Sequence, residues 1–136
     1  MTRRQWQAAF SITGLVLVTA WCVQNLAMRS GNPGYYYQYR NSAEGFVYPT
    51  DEVVKWSVII VIELALACLL VARIANVPRA CMLVGVIMAA LLFSLAIFAM
   101  HAPPYFGGFV VYQLLGAIWC VIAALVTGIW SLVRTK

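Results

Sequence analysis

Charge is what this chain has least of. Asp, Glu, Lys and Arg make up 10% of its 136 residues, against about a quarter in soluble domains. Acids are scarcest, with four against nine bases. There is one histidine, His101. It excludes bis-histidine haem ligation from this chain alone, and its place beside Met100 does not make a metal site. The four cysteines are Cys22, Cys68, Cys81 and Cys120, with no Cys-x-x-Cys pair among them. A quinone-linked thiol oxidase is therefore not expected. All four fall in apolar stretches, where they read as small buried side chains. The sequence has no Ser/His/Asp set, no glycine-rich phosphate loop and no acidic metal cluster. These absences predict a non-enzymatic protein with no cofactor and no metal.

What is present is hydrocarbon. Hydrophobic residues make up 64% of the chain. They gather in four runs, about Gln7 to Met28, Val53 to Ala72, Ala80 to Met100 and Phe109 to Val133. Each is close to the roughly 20 residues an α-helix needs to cross a ~30 Å hydrocarbon core. The first run is too long for the apolar region of a signal peptide and lacks a clean small-x-small cleavage site, so it reads as a retained span. Short links make successive helices antiparallel neighbours. The predicted fold is an all-α membrane protein, a single domain over 1–136 forming an up-down-up-down four-helix transmembrane bundle.

The charges predict its orientation. Arg3, Arg4, Arg73, Arg79, Arg134 and Lys136 fall on one side, with no acid among them. Arg29, Arg40 and Lys55 fall on the other, balanced by Glu44, Asp51 and Glu52. This is the positive-inside pattern with both termini cytoplasmic, in a bacterial-type inner membrane. The net charge of +5 then reflects topology and contact with membrane lipids. Nucleic acid is not an expected partner.

One external loop, about Arg29 to Thr50, is long enough to recognise something. It carries Tyr35, Tyr36, Tyr37, Tyr39, Arg40, Phe46 and Tyr48. Tyrosine-rich segments favour extended structure, and a short β-hairpin turning near Asn41 to Gly45 is expected. These residues read as a partner-binding surface. The competing reading anchors the same rings at the lipid headgroups.

Within the spans, Glu63 stands out. It lies near the middle of the second run, where an acid is costly and faces a bundle interior or a cavity. Thr19 on the first helix is at similar depth and can donate to it or accept from it; Tyr112 and Gln113 on helix 4 lie nearer the outside but are long enough to be candidates too. A coupling carboxylate, a cation site, a partner-helix contact and a neutral hydrogen-bonded acid are the readings for Glu63. Gln24, Asn25, Tyr112 and Gln113 form a second polar group near the outer ends of helices 1 and 4. They read as an outward-facing pocket or as interhelical hydrogen bonds. Gly116, Cys120, Ala124 and Gly128 recur every four residues on helix 4, with Gly85 and Ala89 at the same spacing on helix 3. Such stripes let helix backbones approach in lipid, within the chain or against another one.

The topology is similar in shape to that of immunity proteins against pore-forming toxins and of accessory subunits of membrane complexes, with no motif behind the likeness. The leading expectation is a small inner-membrane protein that binds another protein in or at the membrane, or its own copies. As alternatives, Glu63 serves a small oligomeric transporter or channel component, or the bundle binds a lipid.

Overall fold

The computed structural model describes residues 1–31, 48–99 and 104–133, with backbone alone for 31, 48, 49, 98, 99, 104 and 105. Four helices carry it: α1 Arg3–Met28, α2 Thr50–Arg73, α3 Val77–Ala99 and α4 Pro104–Val133. All four are long and apolar enough to cross a membrane. The chain is an integral membrane four-helix bundle.

Each helix begins a few residues before its apolar run, because polar residues build its first turn. Thr2 caps α1 through a capping box with Gln5, so the helix starts at Arg3 rather than Gln7. Thr50, Asp51 and Glu52 open α2, where carboxylates face the positive helix end. Asn76 Oδ1 accepts the Arg79 N–H at 3.0 Å and starts α3. Pro104 is the first residue of α4, a position where its missing N–H costs nothing. Gly107 and Gly108, expected in a loop, are therefore helical.

Contacts between helix ends establish the direction of each helix. Arg4, at the start of α1, donates to the carbonyls of Ala72 and Ile74, at the end of α2. Leu26, near the end of α1, packs on Gly108 near the start of α4. Cys81, early in α3, donates to Ser11 Oγ, early in α1. Neighbouring elements thus alternate up and down.

The four helices are not equally engaged. α4 packs most extensively, with α3 on one side and α1 on the other, and α2 lies mainly on α1. Contact between α2 and α3 is thin, and α3 has no fully buried side chain from Ala89 through Ile97.

The expected hairpin and Tyr35, Tyr36, Tyr37, Tyr39, Arg40 and Phe46 lie outside the described residues, as does the side chain of Tyr48. The ends of that segment are described. Ser30–Gly31 (β1) pairs in parallel with Tyr48–Pro49 (β2), Ser30 opposite Tyr48 and Gly31 opposite Pro49. Ser30 Oγ also donates to Thr50 Oγ1 at 3.1 Å.

Candidate functional site

A helix in lipid has no apolar core to seek, so its polar and small residues turn inward instead. α1 shows this plainly. Its buried face holds Gln7, Ser11, Gly14, Thr19 and Cys22, together with Leu15 and Leu26. Phe10, Val16, Leu17 and Trp21 face outward. α4 buries a stripe at helical spacing: Phe109, Tyr112, Gln113, Gly116, Ala117, Cys120, Ala123, Ala124 and Thr127.

Where these two faces meet, Tyr112 is fully buried. Its hydroxyl lies 3.1 Å from Thr19 Oγ1, which also donates to the Leu15 carbonyl at 2.8 Å. Gln113, the next residue, is also fully buried and faces α2 instead. Its Nε2 donates to Glu63 Oε2 at 2.6 Å. Of the candidate partners Thr19, Tyr112 and Gln113, it is Gln113 on α4 that meets Glu63. Thr19 and Glu63 belong to one polar layer through the adjacent Tyr112 and Gln113, without a direct bond.

That layer is one donor short. Glu63 Oε1 and Gln113 Oε1 are both buried with no partner among the described residues. A single proton between them would serve both oxygens. Nearer the start of α2, Trp56 Nε1 and Ser57 Oγ are likewise buried, with no partner among the described residues. Trp56 packs its ring against Phe106 and Phe109, at centroid distances of 5.1 and 5.0 Å.

Glu63 also lines a groove of about 470 Å³ in the thin seam between α2 and α3. The floor and walls are apolar, with Leu66, Leu70, Val84, Ile87 and Met88 among them, and Arg73 stands at the far end. Ten residues at 1.5 Å rise separate Glu63 from Arg73, so the groove runs about 15 Å, half of a ~30 Å hydrocarbon core.

The outer polar group does not converge. Gln24 is exposed. Asn25 donates to the Trp21 carbonyl at 2.9 Å and lines a cleft of about 210 Å³ with Cys22, Leu26, Arg29, Gly108 and Val111. Tyr112 and Gln113 are turned into the bundle, away from that cleft. The small-residue stripe is split in the same way. A side chain on Gly116 would collide with Met88 of α3, and Cys120 Cβ lies 3.1 Å from where one on Gly85 would sit. Ala124 is buried, whereas Gly128 has open space around it and Ala89 is exposed.

A second polar layer, unanticipated from the sequence, ties α1 to the end of α4. Gln7 is 5% exposed and its Nε2 donates to the Thr127 carbonyl at 3.0 Å and to Ser131 Oγ at 2.9 Å. Its signal was available: Gln7 and Ser11, like Thr127 and Ser131, are polar residues four apart and so share a helix face. Among the described residues no three His, Cys, Asp or Glu side chains come together.

No family model matches this chain. Curated proteins and solved structures likewise give no match.

Proposed function

We propose that this protein is a non-enzymatic membrane protein that holds a transmembrane helix of a partner along the α2–α3 seam, as an accessory subunit or an immunity-type protein does. The observation that carries this reading is the groove itself. It is apolar along half the membrane and ends at Glu63, whose Oε1 lacks a donor. A lipid tail would fill the apolar part but has no donor to offer. A helix with a Ser, Thr, Asn or Lys side chain at mid-membrane depth fills the apolar part and supplies a donor once the Glu63 carboxyl turns its buried Oε1 to the groove, and buried polar contacts of this kind join helices in lipid. The basic residues grouped at one end of the bundle support an orientation with both termini in the cytoplasm of a bacterial-type cell. Cysteine labelling at Asn76 from inside and at Asn41 from outside tests that orientation, and the reverse pattern rejects it.

The partner reading is tested in cells with a photocrosslinking residue at Ile87, in the groove, and at Ile129, on an exposed face of α4. A defined protein adduct is expected from Ile87 and not from Ile129. Glu63→Gln keeps an acceptor oxygen and should retain the adduct, whereas Glu63→Leu should lose it. Adducts to lipid alone, or adducts indifferent to Glu63→Leu, reject the proposal. The buried acid also favours one rival, a coupling carboxylate in an oligomeric transporter. Its signature is pH-dependent flux in proteoliposomes that vanishes in Glu63→Gln.

A further inference from the structure

The Arg3 end of the bundle has a pocket of its own, beyond the Arg73 end of the α2–α3 groove and sharing no lining residue with it. It encloses about 310 Å³ where the start of α1, the α2–α3 turn and the last turn of α4 meet, and is lined by Arg3, Arg4, Gln7, Asn76, Pro78 and Ser131. We infer that this pocket binds a phosphate-centred anion, and that its source is the headgroup of an anionic phospholipid in the leaflet at this end.

Four observations carry the assignment. The first is charge. Two guanidinium groups line the pocket, and Arg73 and Arg79 stand on the flanking helix turns. The described acids, Asp51, Glu52 and Glu63, lie at the start and middle of α2, away from this end. The second is preorganisation. Arg4 is held by the Ala72 and Ile74 carbonyls, so its position is set before a ligand arrives. Gln7 spends its amide on Thr127 and Ser131 and serves as a fixed floor. The third is availability. Arg3 is half-buried and has no hydrogen bond or ion pair among the described residues. Its planar fork suits two phosphate oxygens at once. The fourth is depth. The pocket sits at helix ends, and Trp6, one turn along α1 from Arg3, is 54% exposed; such rings mark the headgroup level. The first turn of α3 also points its positive end here. Pro78 has no N–H and Asn76 takes that of Arg79, so that turn contributes field rather than a row of amide ligands.

The test uses the full chain in nanodiscs of phosphatidylcholine with added phosphatidylglycerol. Native mass spectrometry then counts phosphatidylglycerol molecules retained after release from the disc. Wild type should retain it in preference to phosphatidylcholine. Arg3→Gln should lower retention about fivefold, the effect of one arginine near a charged headgroup; Arg3→Lys should keep part of it. Arg79→Gln removes an equal charge at the same end but outside the pocket, and should change little. Inorganic phosphate is titrated in parallel. If phosphate displaces the lipid in wild type but not in Arg3→Gln, the site stands and its ligand is a soluble anion. Retention that falls equally in Arg3→Gln and Arg79→Gln, or in neither, overturns the proposal, because general surface attraction then explains the lipid.

Discussion

α4 and α2 are built of the same apolar material, yet they are used differently. In the most apolar window of α4, 44% of residues are buried; in that of α2, 17%. Hydrophobicity does not separate them, because lipid tails are as apolar as leucine and draw no helix inward. Side-chain size and polarity do. α4 offers Gly116, Ala117, Cys120, Ala123, Ala124 and Thr127 on one face, and its neighbours come close. α2 offers Val53, Ile60, Ala67 and Val71, a narrow seam at near-heptad spacing, and keeps the rest of its surface outward. The hub of the bundle is its smallest-surfaced helix, and the helix with the odd acid is the one left half-covered.

The largest test of this contrast is Tyr112→Ala, which empties a fully buried site between α1 and α4. It should cost about 3 kcal/mol or more, read as unfolding stability in detergent. Tyr112→Phe removes only the contact with Thr19 and should cost under about 1 kcal/mol. Equal effects from the two would mean that ring packing on α4 is not what holds the bundle.

A smaller effect is expected at Gly14, where the α1 backbone receives Trp119 of α4. A Cβ there would overlap the indole ring, whose Nε1 donates to the Ser11 carbonyl at 2.9 Å and which packs on Phe10 at 5.2 Å between centroids. Gly14→Ala should destabilise by about 1–3 kcal/mol. Adding Trp119→Leu should recover part of that loss, since contacting residues couple. Simple additivity of the two changes would place the strain elsewhere.

The smallest effect belongs to α2. Ile62 is 55% exposed, and Ile62→Ala should shift stability of the purified protein by no more than about 0.5 kcal/mol. A loss as large as that of Gly14→Ala would sharpen the comparison in an unexpected direction, showing that another chain covers this face after purification.

The spans were legible because length and hydropathy alone define them. Helix starts were displaced because Thr2, Thr50, Asn76 and Pro104 extend helices through polar sequence that a hydropathy reading stops at. The azimuth of each helix was harder. The four-residue rhythm from Gly116 through Ala124 marks a close approach, but nothing in it says that Met88 fills the gap or that Gly128 is left open. Depth singled out Glu63 and offered Thr19, Tyr112 and Gln113 as partners, but it could not choose Gln113 among them, because depth carries no information about rotation around the axis. Gln113, placed near the outside by counting along the chain, reaches Glu63 because α4 begins earlier than its apolar run.

The bond from Gln7 to Thr127 joins residues 120 apart in sequence, and this has a consequence for synthesis. Domains tend to fold as the chain emerges, amino end first. Here α1 can clasp α2 early, through Arg4 and the carbonyls of Ala72 and Ile74. Its amide at Gln7 and its notch at Gly14 must wait for partners more than a hundred residues later in the chain. Until α4 is inserted, the Gln7 amide sits in lipid unsatisfied, whereas Ser11 and Thr19 donate to carbonyls of their own helix; that amide is an opening for membrane chaperones and quality-control proteases. A chain truncated before α4 should be cleared rather than persist as a smaller bundle.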